Sequence, residues 1–337
     1  MSSTRPKVIS GAPTSEFAAS PTHLEVHAPA TATLAFRVGE RDTESEPEIH
    51  LCRHSLTAVY CSVGIYDDVE ISLKRRGSGF SLDLEGDNLG DLVSDAADMR
   101  ENLAVQALFA LAHHAHRQPN VGIRIFKRIP VAAGLGSAAA DAAAVFVGLN
   151  RLWNLKYDLD TLRAIAAPLG HGIPFCLTGG LLVGTKYGES VTPITADIAR
   201  QLGPEMNFTT MLLGTYSQGL SKAAVYEELD RERTEEHRLK ASAAAGATEQ
   251  NPYSDLHFGS NDLETSIVSL YPRAGAAIED ALAAADGVTA FVSGSGPTVV
   301  ACLPDSKAMW KVIGAWKASR SVDRIVRVEA PADITLS

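Results

Sequence analysis

The chain has 337 residues, 45% of them hydrophobic and 21% charged, and a formal net charge of -10 at pH 7. That length suits one large or two ordinary domains with a substantial buried core. The acidic balance argues against nucleic acid or an anionic membrane as partner, because both need a basic footprint. Four scattered cysteines (Cys52, Cys61, Cys176, Cys302) with no CxxC pair argue against a disulfide framework and against a zinc site. Free thiols in a cytoplasmic setting are expected.

Residues 1-22 are rich in Ser, Thr, Ala and Pro and lack the apolar core of a signal peptide, so a disordered tail is expected. Apolar and polar residues alternate over His23 to His27, Leu34 to Val38, Val69 to Lys74, Phe80 to Leu84 and Val121 to Lys127, which predicts strands. Leu103, Ala107, Leu108 and Leu111 form a helical stripe, with Asp98 as a nearby cap. Helices are predicted from Gly134 to about Leu152 and from Asp158 to Leu169. The histidines at 113, 114 and 116 read as a solvated helix end rather than as metal ligands. Val131 to Leu149 is too interrupted by Asp141, Gly134, Gly136 and Gly148 to span a membrane.

The composition shifts after Gly179. Gly180 to Gly184 and Thr209 to Leu213 read as strands, followed by a helix over Leu220 to Asp230 and a surface loop or frayed helix over 231-250, where Glu232 to Lys240 is a solvated charge run. Helices over Asn261 to Leu270 and Arg273 to Ala285 precede two β-like runs within Val288 to Cys302. A helix over Lys307 to Ser319 and a strand over Arg324 to Val328 close the chain. The expected fold class is α+β, with a β-rich first domain over 23-179 and a split βαβ (ferredoxin-like) second domain over 180-337, carrying a surface insertion near 231-256.

The most informative stretch is Pro130-Val-Ala-Ala-Gly134-Leu-Gly136-Ser137-Ala138-Ala139-Ala140. It fits G-x-G-x-x-G/A loosely, but six residues separate Lys127, where the preceding strand ends, from the first glycine, unlike a dinucleotide turn. No Gly-Lys-Ser/Thr follows, so it is not a Walker A loop. Two readings stand: glycines opening a helix N-terminus to phosphate, or small residues letting a helix pack against a sheet.

The same stretch resembles the phosphate loop of the GHMP small-molecule kinases. Ala28-Pro29-Ala30, Asn102-Leu103, Gly179-Gly180, Tyr187-Gly188-Glu189, Ser260-Asn261-Asp262-Leu263-Glu264, Tyr271-Pro272 and Val292-Ser-Gly-Ser-Gly-Pro-Thr298 follow in the family's order. Together they resemble the branch that phosphorylates 4-diphosphocytidyl-2-C-methyl-D-erythritol in non-mevalonate isoprenoid biosynthesis. The resemblance implies a two-domain fold, ATP and Mg2+ as cofactors, and a small-molecule substrate in the cleft. It assigns the nucleotide to Pro130, Gly134, Leu135, Gly136, Ser137, Ala138, Ala139, Ala140 and Asn102, and a second glycine loop to Ser293, Gly294, Ser295 and Gly296. It places the substrate at Arg53 and His54, and Mg2+ at Ser137, to which the loop's hydroxyl has moved. The family's usual lysine and aspartate are replaced by Thr31 and Gly172; His171 and Asp141 are the nearest candidates to stand in. Two function classes follow: a kinase for this substrate or another small alcohol, or a catalytically impaired homologue with a nucleotide-binding or regulatory role.

Overall fold

The computed structural model describes residues 22-41, 54-86, 89, 99-170, 172-203, 210-240 and 256-337. Its first part contains β1 (His23–Arg41), β2 (His54–Leu73), β3 (Ser81–Glu85), α1 (Leu103–His114), β4 (Val121–Phe126), α2 (Ser137–Leu152), α3 (Leu159–Ala166), α4 (Ile173–Thr178), β5 (Leu181–Thr185), β6 (Ser190–Pro193) and α5 (Ala196–Leu202). Then come β7 (Thr210–Thr215), α6 (Lys222–Lys240), α7 (Glu264–Leu270), α8 (Pro272–Ala284), β8 (Thr289–Val292), β9 (Val299–Leu303), α9 (Ser306–Ser319), β10 (Arg324–Val328) and β11 (Thr335–Leu336).

The long antiparallel pair β1 and β2 is the spine of a seven-stranded sheet in the order β11-β1-β2-β4-β3, with β5 on β2 and β6 on β5. Val26, Ala28, Ala30, Ala32 and Leu34 are fully buried, the row that a two-residue period puts on one face. Two short strands were expected here because Pro29 and the Ala/Thr run break the alternation. The structure carries one strand through, with register shifts at Pro29/Ala30, Thr33/Ala35 and Val38/Arg41. A residue without an N–H is accommodated at such a bulge.

Helix α2 packs on this sheet along most of its length. A Cβ at Gly148 would lie 2.4 Å from Ile71 Cδ1 and 3.2 Å from both Leu24 and Val26, so the close approach requires glycine. The packing reading of the alanine-rich helix therefore holds for its body, while its N-terminus stays free for another use.

The second sheet is antiparallel in the order β10-β7-β9-β8. The unit β9-α9-β10 straddles β7, which is the split βαβ arrangement expected. Trp316 is fully buried against it and donates from its indole N–H to the Ala277 carbonyl at 2.8 Å. The division expected at residue 180 falls inside the first sheet, since β5, β6 and β11 pair into it and Ile198 and Leu202 of α5 join its core. Helix α6 continues to Lys240, past the point where a loop or frayed helix was expected. Short elements α4, β6 and α5 carry too few residues to show a period, and the sequence reading missed them.

Candidate active site

The strap leaving β4 turns through Gly134 and Gly136, whose φ values of 78° and 68° are left-handed. Gly136 caps α2 without any side-chain hydrogen bond. The first N–H groups of a helix have no intrahelical acceptor and carry the positive end of its dipole. The amides of Ser137, Ala138 and Ala139 therefore form an uncapped donor set, which fits an anion. Asn102 is spent differently: it caps α1, its side-chain oxygen accepting from Ala104 N at 2.9 Å. The cap expected at Asp98 lies outside the described residues.

The two glycine loops interleave. A Cβ at Gly134 would lie 2.0 Å from the Ser293 carbonyl oxygen, and one at Gly296 would lie 1.9 Å from the Ala133 carbonyl carbon. Ser293 Oγ donates to the Gly134 carbonyl at 2.8 Å and accepts from Thr33 N at 3.0 Å. Strand β1 joins the same knot, with Thr31 N donating to the Leu135 carbonyl at 2.9 Å. Pro130 is buried and lines, with Tyr66, Arg128, Thr215 and Arg324, a cavity of about 340 Å³.

Thr31 and Gly172 converge on the first turn of α2. A Cβ at Gly136 would sit 3.1 Å from the Thr31 side chain, and one at Gly172 would sit 3.2 Å from Ala139 Cβ. Thr31 is buried, and its hydroxyl lies 3.6 Å from Cys176 Sγ. Burial pushes the Cys176 thiol up to about 12, so it is not a nucleophile at neutral pH. The positions where the resemblance expects a lysine and an aspartate thus flank the helix N-terminus.

Beneath the loop lies a charged cluster. Lys127 Nζ donates to Asp67 Oδ2 at 2.6 Å, to Asp141 Oδ2 at 2.5 Å and to Ser137 Oγ at 2.5 Å. Asp67 Oδ1 accepts from Arg128 N at 2.6 Å and Ile129 N at 2.8 Å. Burial works against the Lys127 ammonium, but Asp141 and Asp67 outweigh it and raise the lysine above its ordinary range. Burial pushes Asp141 up to about 7, with Lys127 opposing and Asp67 adding to the rise.

Two residues that the resemblance offered to Mg2+ and to the missing aspartate's role are engaged with Lys127: the Ser137 hydroxyl and the Asp141 carboxylate both turn under the loop to its ammonium. The sequence reading missed Asp67 and Lys127, although a signal was present. Val121, Ile123 and Ile125 point inward along β4, as do Val69 and Ile71 along β2. Continuing each two-residue period puts Lys127 and Asp67 on the buried face, where a charge needs a partner.

His54 opens β2, buried, with Nδ1 3.0 Å from the Gly39 carbonyl and Nε2 3.2 Å from Asp230 Oδ1. Its ring lies 5.4 Å from that of Tyr226, itself 5.7 Å from Lys222 Nζ. Tyr226 is a second aromatic beside the expected substrate residue, and the sequence reading missed it as an ordinary helix side chain. Arg53 and His171 lie outside the described residues. No helix among the described residues is long and apolar enough to cross a membrane.

A glycine-opened helix N-terminus on a bulged two-strand spine, locked to a second glycine loop from a split βαβ sheet, defines the GHMP kinase class. Residues 102-180 match the GHMP kinases N terminal domain. A crystal structure of 4-(cytidine 5'-diphospho)-2C-methyl-D-erythritol kinase aligns with a TM-score of 0.61 at 22% identity, covering 91% of this chain and 99% of that one. Homoserine kinase from Cytophaga hutchinsonii aligns with a TM-score of 0.63 at 18% identity, over 95% and 99% of the two chains. In sequence, the 4-diphosphocytidyl-2-C-methyl-D-erythritol kinase of Bifidobacterium longum subsp. infantis is 43% identical over 93% of this chain and 91% of its own length. That of Mycobacterium tuberculosis is 34% identical over 90% and 89%. The chain belongs to the 4-diphosphocytidyl-2-C-methyl-D-erythritol kinase family.

Proposed function

We propose that this chain performs the reaction for which its family is named, ATP-dependent phosphorylation of 4-diphosphocytidyl-2-C-methyl-D-erythritol in isoprenoid precursor biosynthesis. The observation that carries this reading is the uncapped N-terminus of α2, opened by Gly134 and Gly136. Phosphoryl transfer asks for alignment and charge neutralisation more than for covalent catalysis. The amides of Ser137 to Ala139 supply donors, and the helix dipole supplies partial positive charge. The resemblance puts the cytidine end of the substrate near His54, whose ring packs beside Tyr226.

Among the described residues, the side chains around the loop offer no free ligand set for Mg2+. Ser137, Asp67 and Asp141 are bound to Lys127, while Ala139 and Gly172 carry no ligand atom. Thr31 and Gly172 also provide neither ammonium nor carboxylate, so transfer here rests on the loop amides and on substrate alignment. A positioned base contributes about 10² to 10⁴ in rate, and this chain turns over slower by a factor of that order.

The same two substitutions favour a second reading, a homologue that binds nucleotide and substrate in a regulatory role without turnover. Purified protein, ATP, Mg2+ and the diphosphocytidyl alcohol, followed by mass spectrometry, separates the two. Phosphorylated alcohol supports the kinase reading. Nucleotide-dependent thermal stabilisation with no product removes it and leaves the binding role.

A further inference from the structure

The charged cluster under the loop is used by neither reading, yet it joins three elements that the loop depends on. Asp67 comes from β2, Lys127 begins the strap after β4, and Ser137 and Asp141 lie in the first turns of α2. One carboxylate, Asp67, accepts two consecutive strap amides through Oδ1 and the Lys127 ammonium through Oδ2. The ammonium then reaches across to Ser137 and Asp141. The two ends of the phosphate loop, residues 127-129 and 137-141, are thereby tied to a single buried point.

The side chains of Lys127 and Asp67 are 1% and 0% exposed, so neither touches a ligand. The strap's middle is held separately, by Leu220 N on the Ala132 carbonyl and Ser293 Oγ on the Gly134 carbonyl, whereas the clamp joins its two ends. The backbone conformation it holds includes Ala132 with a left-handed φ of 52° in addition to the two glycines. A non-glycine residue keeps such a conformation only where its surroundings over-determine it.

We propose that Asp67 and Lys127 are positioning residues: the Asp67–Lys127–Asp141 clamp fixes the distance between strap and helix, and with it the aim of the α2 amides at the nucleotide phosphates. The inference rests on reading that N-terminus as the nucleotide cradle. Donor sets act through geometry, and misplacement by about 1 Å can cost on the order of 10²-fold.

The test uses the full chain and isothermal titration with ATP and Mg2+, well below each variant's unfolding temperature. Lys127→Met and Asp67→Asn are compared with Val312→Ala, a core change in α9 within the second hydrophobic cluster, which contains no residue of the strap or loop. The clamp predicts that ATP affinity falls about tenfold or more in both clamp variants, while Val312→Ala keeps wild-type affinity. Asp141→Ala takes one acceptor from Lys127 and leaves Asp67 on the strap amides. It serves if the other two do not fold, with amide hydrogen exchange over residues 134-140 as the second readout, expected to rise. Wild-type affinity in folded Lys127→Met, or wild-type exchange and affinity in Asp141→Ala, overturns the proposal. Failure of the wild-type chain to bind ATP overturns the cradle itself and the clamp with it; binding by wild type and all variants alike overturns the clamp alone.

Discussion

Changing Thr31→Lys and Gly172→Asp together is expected to raise turnover sharply. Gly172 has φ -83° and ψ -17°, a conformation open to any residue. The one atom a Cβ there would meet is Ala139 Cβ at 3.2 Å, which gives way by a few tenths of an ångström. Thr31 is tighter: it is 7% exposed, with Cys176 Sγ at 3.6 Å and Gly136 against its side chain. A lysine alone there buries an unpaired ammonium, which costs several kcal/mol. With aspartate opposite across the first turn of α2, the charge gains a partner. A base of about 10² to 10⁴ and an electrostatic donor of about 10² to 10³ act as one unit and do not multiply fully. The double variant is therefore expected to gain about 10³ to 10⁴ in kcat, roughly 4 to 5.5 kcal/mol of barrier, with each single variant well below it. The assay is the steady-state rate of phosphorylated product, with ATP affinity and thermal unfolding measured alongside. A folded, ATP-binding double variant with the wild-type rate would refute the placement of these two residues in the catalytic centre.

Other outcomes follow from the same geometry. Asp141 keeps its proton in the native state up to about 7, against an ordinary 3.8, so its contribution to stability falls as pH rises between those values, by at most about 1.4 kcal/mol per pH unit. Urea unfolding of wild type and Asp141→Asn at pH 5, 6 and 7 should show wild type losing ground to the variant as pH rises; a constant difference would contradict this. Gly134→Ala puts a methyl 2.0 Å from the Ser293 carbonyl oxygen at φ 78°, and is expected to cost about 1 to 3 kcal/mol and to weaken ATP binding, read by thermal shift with and without nucleotide. His54→Ala removes a ring held by Gly39 and Asp230; KM for the diphosphocytidyl substrate should rise while ATP affinity stays put, and equal loss of both would place His54 outside the substrate site.

Much of this was legible in the sequence. The periodicities gave the strands on the spine, the alanine-rich helix and the split βαβ unit, because each spans enough residues to show its period. The phosphate loop was legible from glycine spacing and from its neighbours in chain order. What the sequence left open was direction. Ser137 and Asp141 looked available to ligand, and only the fold shows that both turn down to Lys127. The join between the domains was also hidden, since β5, β6 and β11 return to the first sheet through pairing that no local pattern records. Asp67 and Lys127 stood at inward positions of recognisable strands, and a stricter count of parity would have singled them out.

The central claim is that a chain with Thr31 and Gly172 in its catalytic centre still transfers phosphate through an intact loop. Its most direct test is a single-turnover experiment: the purified chain in excess over 4-diphosphocytidyl-2-C-methyl-D-erythritol, with saturating ATP and Mg2+, sampled over hours by mass spectrometry. The account predicts slow, complete conversion to the phosphorylated alcohol, abolished when Gly136→Asp closes the loop. Unconverted substrate in the presence of protein shown to bind ATP would contradict it.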